Sequence, residues 1–172
     1  MKPTPNYIIP LAFSALAVIQ TGADAAAYIK YDGIDGEVTE AKYKGAIELT
    51  AWGWQLSESA EPAVPIVRPI ELTKQADSTT PKLHEFLLNG IKAPTAFIAF
   101  TTTVGEVELE YMKIEMTNVM VSSYSTSTSS PRDSKPFENV SLNFDSYCVT
   151  SSYIDPATGG IITTEPACWK SQ

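Results

Sequence analysis

A chain of 172 residues with 44% hydrophobic content can bury one core and is too short for two ordinary domains. Its 20 acidic residues against 12 basic ones, a net charge of −8, repel polyphosphate and anionic lipid, so nucleic acid is not an expected partner. Two cysteines, Cys148 and Cys168, and one histidine, His84, leave little from which to build a zinc site, a haem site or a nucleophile with its base, and the expectation is a protein without enzyme activity, cofactor or metal.

The N-terminal segment differs in character from the rest of the chain. Lys2 supplies a weak positive charge, residues 8–19 are almost wholly apolar, and Ala23-Asp24-Ala25 has the small-x-small form that signal peptidase cuts. The reading is a signal peptide over 1–25, cleaved after Ala25, ahead of one domain over 26–172 that is secreted or periplasmic in a bacterium. An uncleaved anchor is the alternative, but the apolar stretch is interrupted by Pro10 and falls short of the ~20 residues that a spanning helix needs. The mature chain then has no membrane span, and losing Lys2 and Asp24 leaves its charge at −8.

Beyond the signal, runs rich in β-branched and aromatic residues alternate with turn clusters. They predict strands over about 27–32, 46–56, 70–74, 95–103, 107–123, 140–153 and 161–169. A single short helix is expected near 80–89, with Thr80 as N-cap, Pro81 in the first turn, an apolar stripe of Leu83, Leu87 and Leu88, and Asn89-Gly90 as the stop. Residues 57–69, with three prolines, and 122–136, dominated by serine and threonine, read as loops. Val107, Leu109 and Tyr111 share one strand parity while Met112, Ile114 and Met116 share the other, which calls for a bulge near Tyr111 or burial of both faces. Val140, Leu142 and Phe144 alternate with Ser141, Asn143 and Asp145, so the first three should face the core.

Several of these segments, taken in order and spacing, resemble one family. They are Tyr28-Ile29-Lys30-Tyr31-Asp32-Gly33-Ile34-Asp35-Gly36-Glu37; the paired tryptophans Trp52 and Trp54; Lys74, Asp77, Pro81 and Leu83; Val107-Glu108-Leu109-Glu110-Tyr111; and Glu138-Asn139-Val140-Ser141-Leu142-Asn143-Phe144. The family is Hcp, the ring-forming tube protein of bacterial type VI secretion, and the likeness spans about 28–161. It implies a mainly β fold, a compact two-sheet β-barrel or sandwich with one short α-helix, related to the phage tail-tube fold. It also implies six copies in a ring, rings stacked into a tube, a contractile sheath, a VgrG-type spike, and small effector proteins held in the lumen. Family members carry a longer excursion at the position of 57–69, and they do not carry an export signal. These differences keep a second function open: an exported binding or adhesin-like module that has the fold but not the secretion tube.

Four sets of residues are candidates for a role. Strand alternation puts Trp52 and Trp54 on one face and Gly53 on the other; in a ring Gly53 would line the lumen, and otherwise it marks a bulge or a close backbone approach. Glu106, Glu108 and Glu110 make a carboxylate stripe with no apolar pocket to hold one of them protonated, so it reads as a solvated face that gains an electrostatic role at a lumen or rim when repeated around a ring. Asp32, Asp35 and Glu37 lack the spacing of a calcium loop and read as turn residues. Cys148 and Cys168 have numbers that sum to 316, centred on Thr158 in the turn Asp155-Pro156-Ala157-Thr158-Gly159-Gly160. Cross-strand neighbours in a hairpin share such a sum, so a disulfide is predicted unless a bulge, for which Pro166 is the suspect, breaks the register. The alternative is two buried thiols, because Cys148 shares parity with Val140, Leu142 and Phe144.

Overall fold

Where apolar residues recur at every second position the chain forms strands and buries that side. In Ile70–Gln75 the residues Ile70, Leu72 and Lys74 are buried, while Glu71 and Gln75 are exposed. The computed structural model describes residues 25–61, 64–105, 107–128 and 135–170. Strands β1 (Ala25–Tyr31), β2 (Ile47–Leu49), β3 (Ala51–Gly53), β4 (Leu56–Glu58), β5 (Pro65–Val67) and β6 (Ile70–Gln75) precede helix α1 (Thr80–Asn89). After it come β7 (Lys92–Val104), β8 (Val107–Ser127), β9 (Phe137–Asn143), β10 (Ser146–Ile154), β11 (Ile161–Thr163) and β12 (Ala167–Lys170).

The main sheet runs β2-β1-β7-β8-β9-β6-β3, with β10 added to β8, and β11 and β12 added to β10; β4 and β5 pair as a separate two-stranded sheet. All pairings are antiparallel. The long sheet doubles over, because Trp52 on β3, at one end of the path, packs on Phe100 of β7 with ring centroids 4.6 Å apart. The fold point is in β8, which pairs with β10 through Thr117 and with β9 from Met120. Between them Asn118 has φ +51°, its amide donates to Asp145 Oδ2 at 3.0 Å, and Asp145 N–H reaches the Thr117 carbonyl at 3.0 Å. The result is a β-sandwich around Ile29, Ile70, Ile98, Ile114, Val140 and Leu142. The ladder does not close into a barrel, since β2 and β3 end the path and do not pair with each other.

The expected mainly β fold with one helix is what forms, and the departures each have a local cause. Residues 46–56 are not one strand: Thr50 bends between β2, paired with β1, and β3, paired with β6, and donates its N–H to Thr73 O at 2.8 Å. Residues 140–153 divide at the corner opposite Asn118, and 161–169 divide around Pro166. The loop expected over 57–69 contains the β4–β5 hairpin, and β8 extends to Ser127 by pairing Ser123–Ser127 with β9. In α1 the N-cap is Thr79, not Thr80. Its stripe is Leu83, Phe86 and Leu87, because Leu88 points outward and is 82% exposed. Gly90 does end the helix, at φ +62°, with Gly90 N–H to Leu87 O and Ile91 N–H to Phe86 O, the paired bonds of a left-handed helix stop. The parity switch in β8 is a bulge: Phe100 faces Met112 and Thr101 faces Glu110, leaving Tyr111 as the extra residue.

Candidate functional site

Two opposite charges sit on the core-facing parity of neighbouring strands. Lys74 on β6 and Glu138 on β9 are direct cross-strand partners, are 2% and 1% exposed, and join Nζ to Oε2 at 2.7 Å. Lys74 also meets Asp77 Oδ1 at 2.8 Å. Glu138 Oε1 accepts from Thr80 Oγ1 at 2.6 Å and from Tyr124 OH at 2.8 Å. Burial pushes the Glu138 carboxyl up, but donation from Lys74, Thr80 and Tyr124 and the Lys74 charge outweigh it, so it titrates below its ordinary range. Asp77 behaves alike: burial opposes, Lys74 and Thr79 prevail, and its pKa is lowered. Among the described residues no buried side-chain nitrogen or oxygen lacks a partner, so the network is a satisfied structural joint between α1 and the sheet. It carries no role in the sequence reading, although the signal was there: Lys74 follows Ile70 and Leu72, and Glu138 precedes Val140 and Leu142, at two-residue spacing.

The outer faces of the two layers differ. On the β1–β7–β8 side Tyr28 is buried under the 32–46 loop and stacks on Tyr43 at 4.8 Å. Tyr43 OH donates to Glu110 Oε2 at 2.6 Å, and Lys42 lies 3.3 Å from the same oxygen. Burial, then the Glu110 carboxylate, drives the Tyr43 phenol well above its ordinary range, and the Tyr28 phenol is pushed up to about 12 by burial and Glu40. Glu110 is therefore a half-buried acceptor and not part of a solvated stripe, whereas Glu108 is exposed; Glu106 lies outside the described residues. Asp32, Asp35 and Glu37 hold the same loop, accepting from Thr95 Oγ1, Lys30 Nζ and Ser78 N–H.

Gly53 lies on the other outer face. Its cross-strand neighbour is Glu71, it is exposed, and nothing stands within 4 Å of the place a Cβ would occupy, which removes the close-approach reading. Around it the β6–β9–β8 surface is hydroxyl-rich: Thr73 Oγ1 donates to Asn139 Oδ1 at 2.9 Å, and Ser141 Oγ donates to Glu71 Oε2 at 2.7 Å while lying 2.5 Å from Ser123 Oγ. Trp52 and Trp54 do share the opposite side, Trp52 against Phe100 and Trp54 against Tyr147 at 4.6 Å, but Trp52 is 39% exposed and not core. With Tyr111, extruded by the bulge, and Phe100 it lines an open groove beside Ala25, Ala27 and Leu49, which the sequence reading missed because the aromatics come from three separate strands. His84 is exposed and edge-on to Tyr124, centroids 4.2 Å apart.

The cysteines are bonded, with S–S 2.01 Å and Cα–Cα 4.0 Å, and they are direct register partners on β10 and β12. The sum of 316 holds from Ser146–Lys170 to Val149–Ala167 and drops to 315 from Ser152–Thr163 onward, so the irregularity at Pro166 falls on the turn side of the bridge. Cys148 does not share the core face of Val140 and Leu142: the corner at Phe144 and Asp145 resets the alternation, and Tyr147 and Val149 point inward instead.

Expected export and cleavage after Ala25 meet the structure only at the first residue of β1; residues 1–24 lie outside the described residues. Among the described residues no helix is long and apolar enough to cross a membrane.

Known proteins match this arrangement in sequence and in fold. The model of the family described as "Type VI secretion system effector, Hcp" matches residues 28–150. Protein hcp1 of Pseudomonas aeruginosa is 31% identical over 125 residues, 68% of this chain and 76% of that protein. A solved type six secretion system protein superposes with a TM-score of 0.76 at 24% identity, over 86% of this chain and 96% of that one. Hcp1 from Salmonella typhimurium superposes with a TM-score of 0.68 at 28% identity, over 85% and 94%. With the sequence match running from β1 into β10 and the same sandwich beneath it, the chain belongs to the Hcp family of type VI secretion.

Proposed function

We propose that the mature chain is a structural subunit of a type VI secretion tube, forming homo-hexameric rings that stack, and that it is exported by its N-terminal signal. The observation that carries the reading is the extent of the family match, 28–150, which takes in both layers of the sandwich. Export is supported by the 1–25 pattern and by the cystine, which belongs to an oxidising compartment, periplasmic or extracellular. In the ring, Gly53 faces the lumen. Its face is hydroxyl-rich and open at Gly53, whereas the opposite outer face is occupied by the 32–46 loop; Glu108 and Glu110 then belong to a rim or subunit boundary. The exposed β4–β5 hairpin, with Leu56 at 53% and Ile66 at 36% exposure, is the element that reaches the next ring. A VgrG-type spike, a sheath and small effectors are the corresponding partners.

The test is light scattering coupled to size-exclusion chromatography on the oxidised 26–172 chain, with a sixfold mass expected. A monomer at high concentration would overturn the ring. It would favour an exported binding module, for which the open Trp52–Phe100–Tyr111 groove would be the contact surface.

A further inference from the structure

The last twenty described residues are attached in an unusual way. The family match stops at 150, and the arm beyond it returns to pair with β10 on the side away from β8. This arm has little to hold it by packing. Every residue of β11 is exposed, and in β12 only Trp169 is half-buried, stacked on Tyr147 at 5.7 Å. Between the two short ladders Thr164 still bonds to Ser151, while Glu165 and Pro166 have no partner in either register. Its one strong attachment is the Cys148–Cys168 bond. Beneath the arm lies an edge that needs covering. Ser146–Ile154 reads Ser-Tyr-Cys-Val-Thr-Ser-Ser-Tyr-Ile, nine residues with no charge and no proline, the composition of a strand that adds readily to others.

We infer that Cys148–Cys168 is a redox latch on this edge: oxidised, it straps β12 over β10; reduced, the arm leaves and β10 accepts the same edge of a second copy. A second copy is the fitting occupant because an antiparallel pair of identical uncharged edges brings no like charges together. The chemistry balances with a dithiol as reductant. It donates two electrons to the cystine and becomes a cyclic disulfide; the sulfur–sulfur bond breaks and each cysteine gains a proton. Re-formation passes the electrons to a disulfide oxidant of the export compartment. The inference requires only the oxidised pair and is independent of ring formation.

The geometry supplies a sharp reading of the latch. The 4.0 Å Cα spacing at the cystine marks a closely spaced pair whose own amides point away from each other. Ser151 N–H donates to Thr164 Oγ1, and Thr164 N–H donates to Ser151 O. The amides of Tyr147, Val149 and Ser151 therefore face the arm, and those of Cys148 and Thr150 face β8. Residue-resolved hydrogen exchange on the mature chain, dilute enough to keep copies apart, should show the first set losing protection by roughly tenfold or more on dithiothreitol treatment while the second set keeps it. In concentrated samples light scattering should show a mass above that of the oxidised form, reversed by reoxidation. The Cys148→Ser, Cys168→Ser double variant should behave as the reduced chain without reductant. Adding Ser151→Lys, a charge on the freed edge, should abolish the mass increase and leave the loss of protection. Unchanged protection at Tyr147, Val149 and Ser151, equal loss at Cys148 and Thr150, or an unchanged mass would each overturn the latch.

Discussion

Lys74 and Glu138 show how a single misplaced charge would act in this molecule. Each is buried and each is the other's closest ionic partner, so removing Glu138 leaves the buried Lys74 with Asp77 alone and takes the acceptor from Thr80 and Tyr124. Glu138→Ala should destabilise the fold by about 3–5 kcal/mol in urea titration, whereas replacing both partners with apolar residues of similar volume, Lys74→Met with Glu138→Leu, should cost far less. Equal losses from the single and double variants would mean that packing and not charge is at stake. The same pair sets the acid limit. In the folded chain Asp77 and Glu138 titrate below their ordinary values of 3.8 and 4.5, so their contribution is complete above those values and is lost as pH falls through the lower folded ones. A thermal midpoint level from about pH 7 to 5 and falling below about pH 4 is expected, with a shallower fall in Glu138→Gln. A midpoint falling equally in both proteins would place the acid sensitivity elsewhere.

At the scale of elements, the loop over Tyr28 depends on one close backbone approach. Gly36 N–H donates to Gly45 O at 2.9 Å, and a Cβ on Gly36 would stand 2.1 Å from Ala46 O, which is backbone and cannot move aside. Gly36→Ala should therefore lift the loop, uncouple Tyr43 from Glu110 and cost about 2 kcal/mol or more; an unchanged urea midpoint would show that the loop contributes nothing to stability. That approach is not legible in a sequence, because Gly36 looks like any turn glycine until Ala46 is beside it. Strand identity, by contrast, was legible from period-two burial, and so was the cystine from a constant register sum; the parity switch at Tyr111 was legible too, but whether a bulge or burial of both faces caused it was decided only by the register. What misled was continuity. Nothing in 140–153 announces the corner at Phe144 and Asp145, so parity carried across it put Cys148 on the wrong face. Gly53 was legible as facing away from its tryptophans, but the depth of Trp52 depends on how far β3 lies from the sheet edge.

The whole molecule poses a question of charge. The chain carries −8 in full and after loss of residues 1–25, and a ring places six such copies side by side. Their mutual repulsion opposes assembly unless the subunit boundary pairs opposite charges. Most of the described lysines pair within the chain: Lys30 with Asp35, Lys42 with Glu110, Lys74 with Glu138, Lys82 with Glu85, Lys92 with Asp145 and Lys113 with Glu115. With these lysines engaged at home, the excess acid is what neighbours meet. Salt shortens the reach of that repulsion to ~10 Å at about 0.1 M and less above it, while apolar and strand-edge contacts persist. Assembly should therefore strengthen with salt: sedimentation across a dilution series should find the ring dissociating at a lower protein concentration in ~0.3 M salt than in ~0.02 M salt. Dissociation driven by added salt would reverse the argument. It would mean that lysines release their internal partners to reach acids such as Glu108 across the boundary, and that the boundary is held by charge.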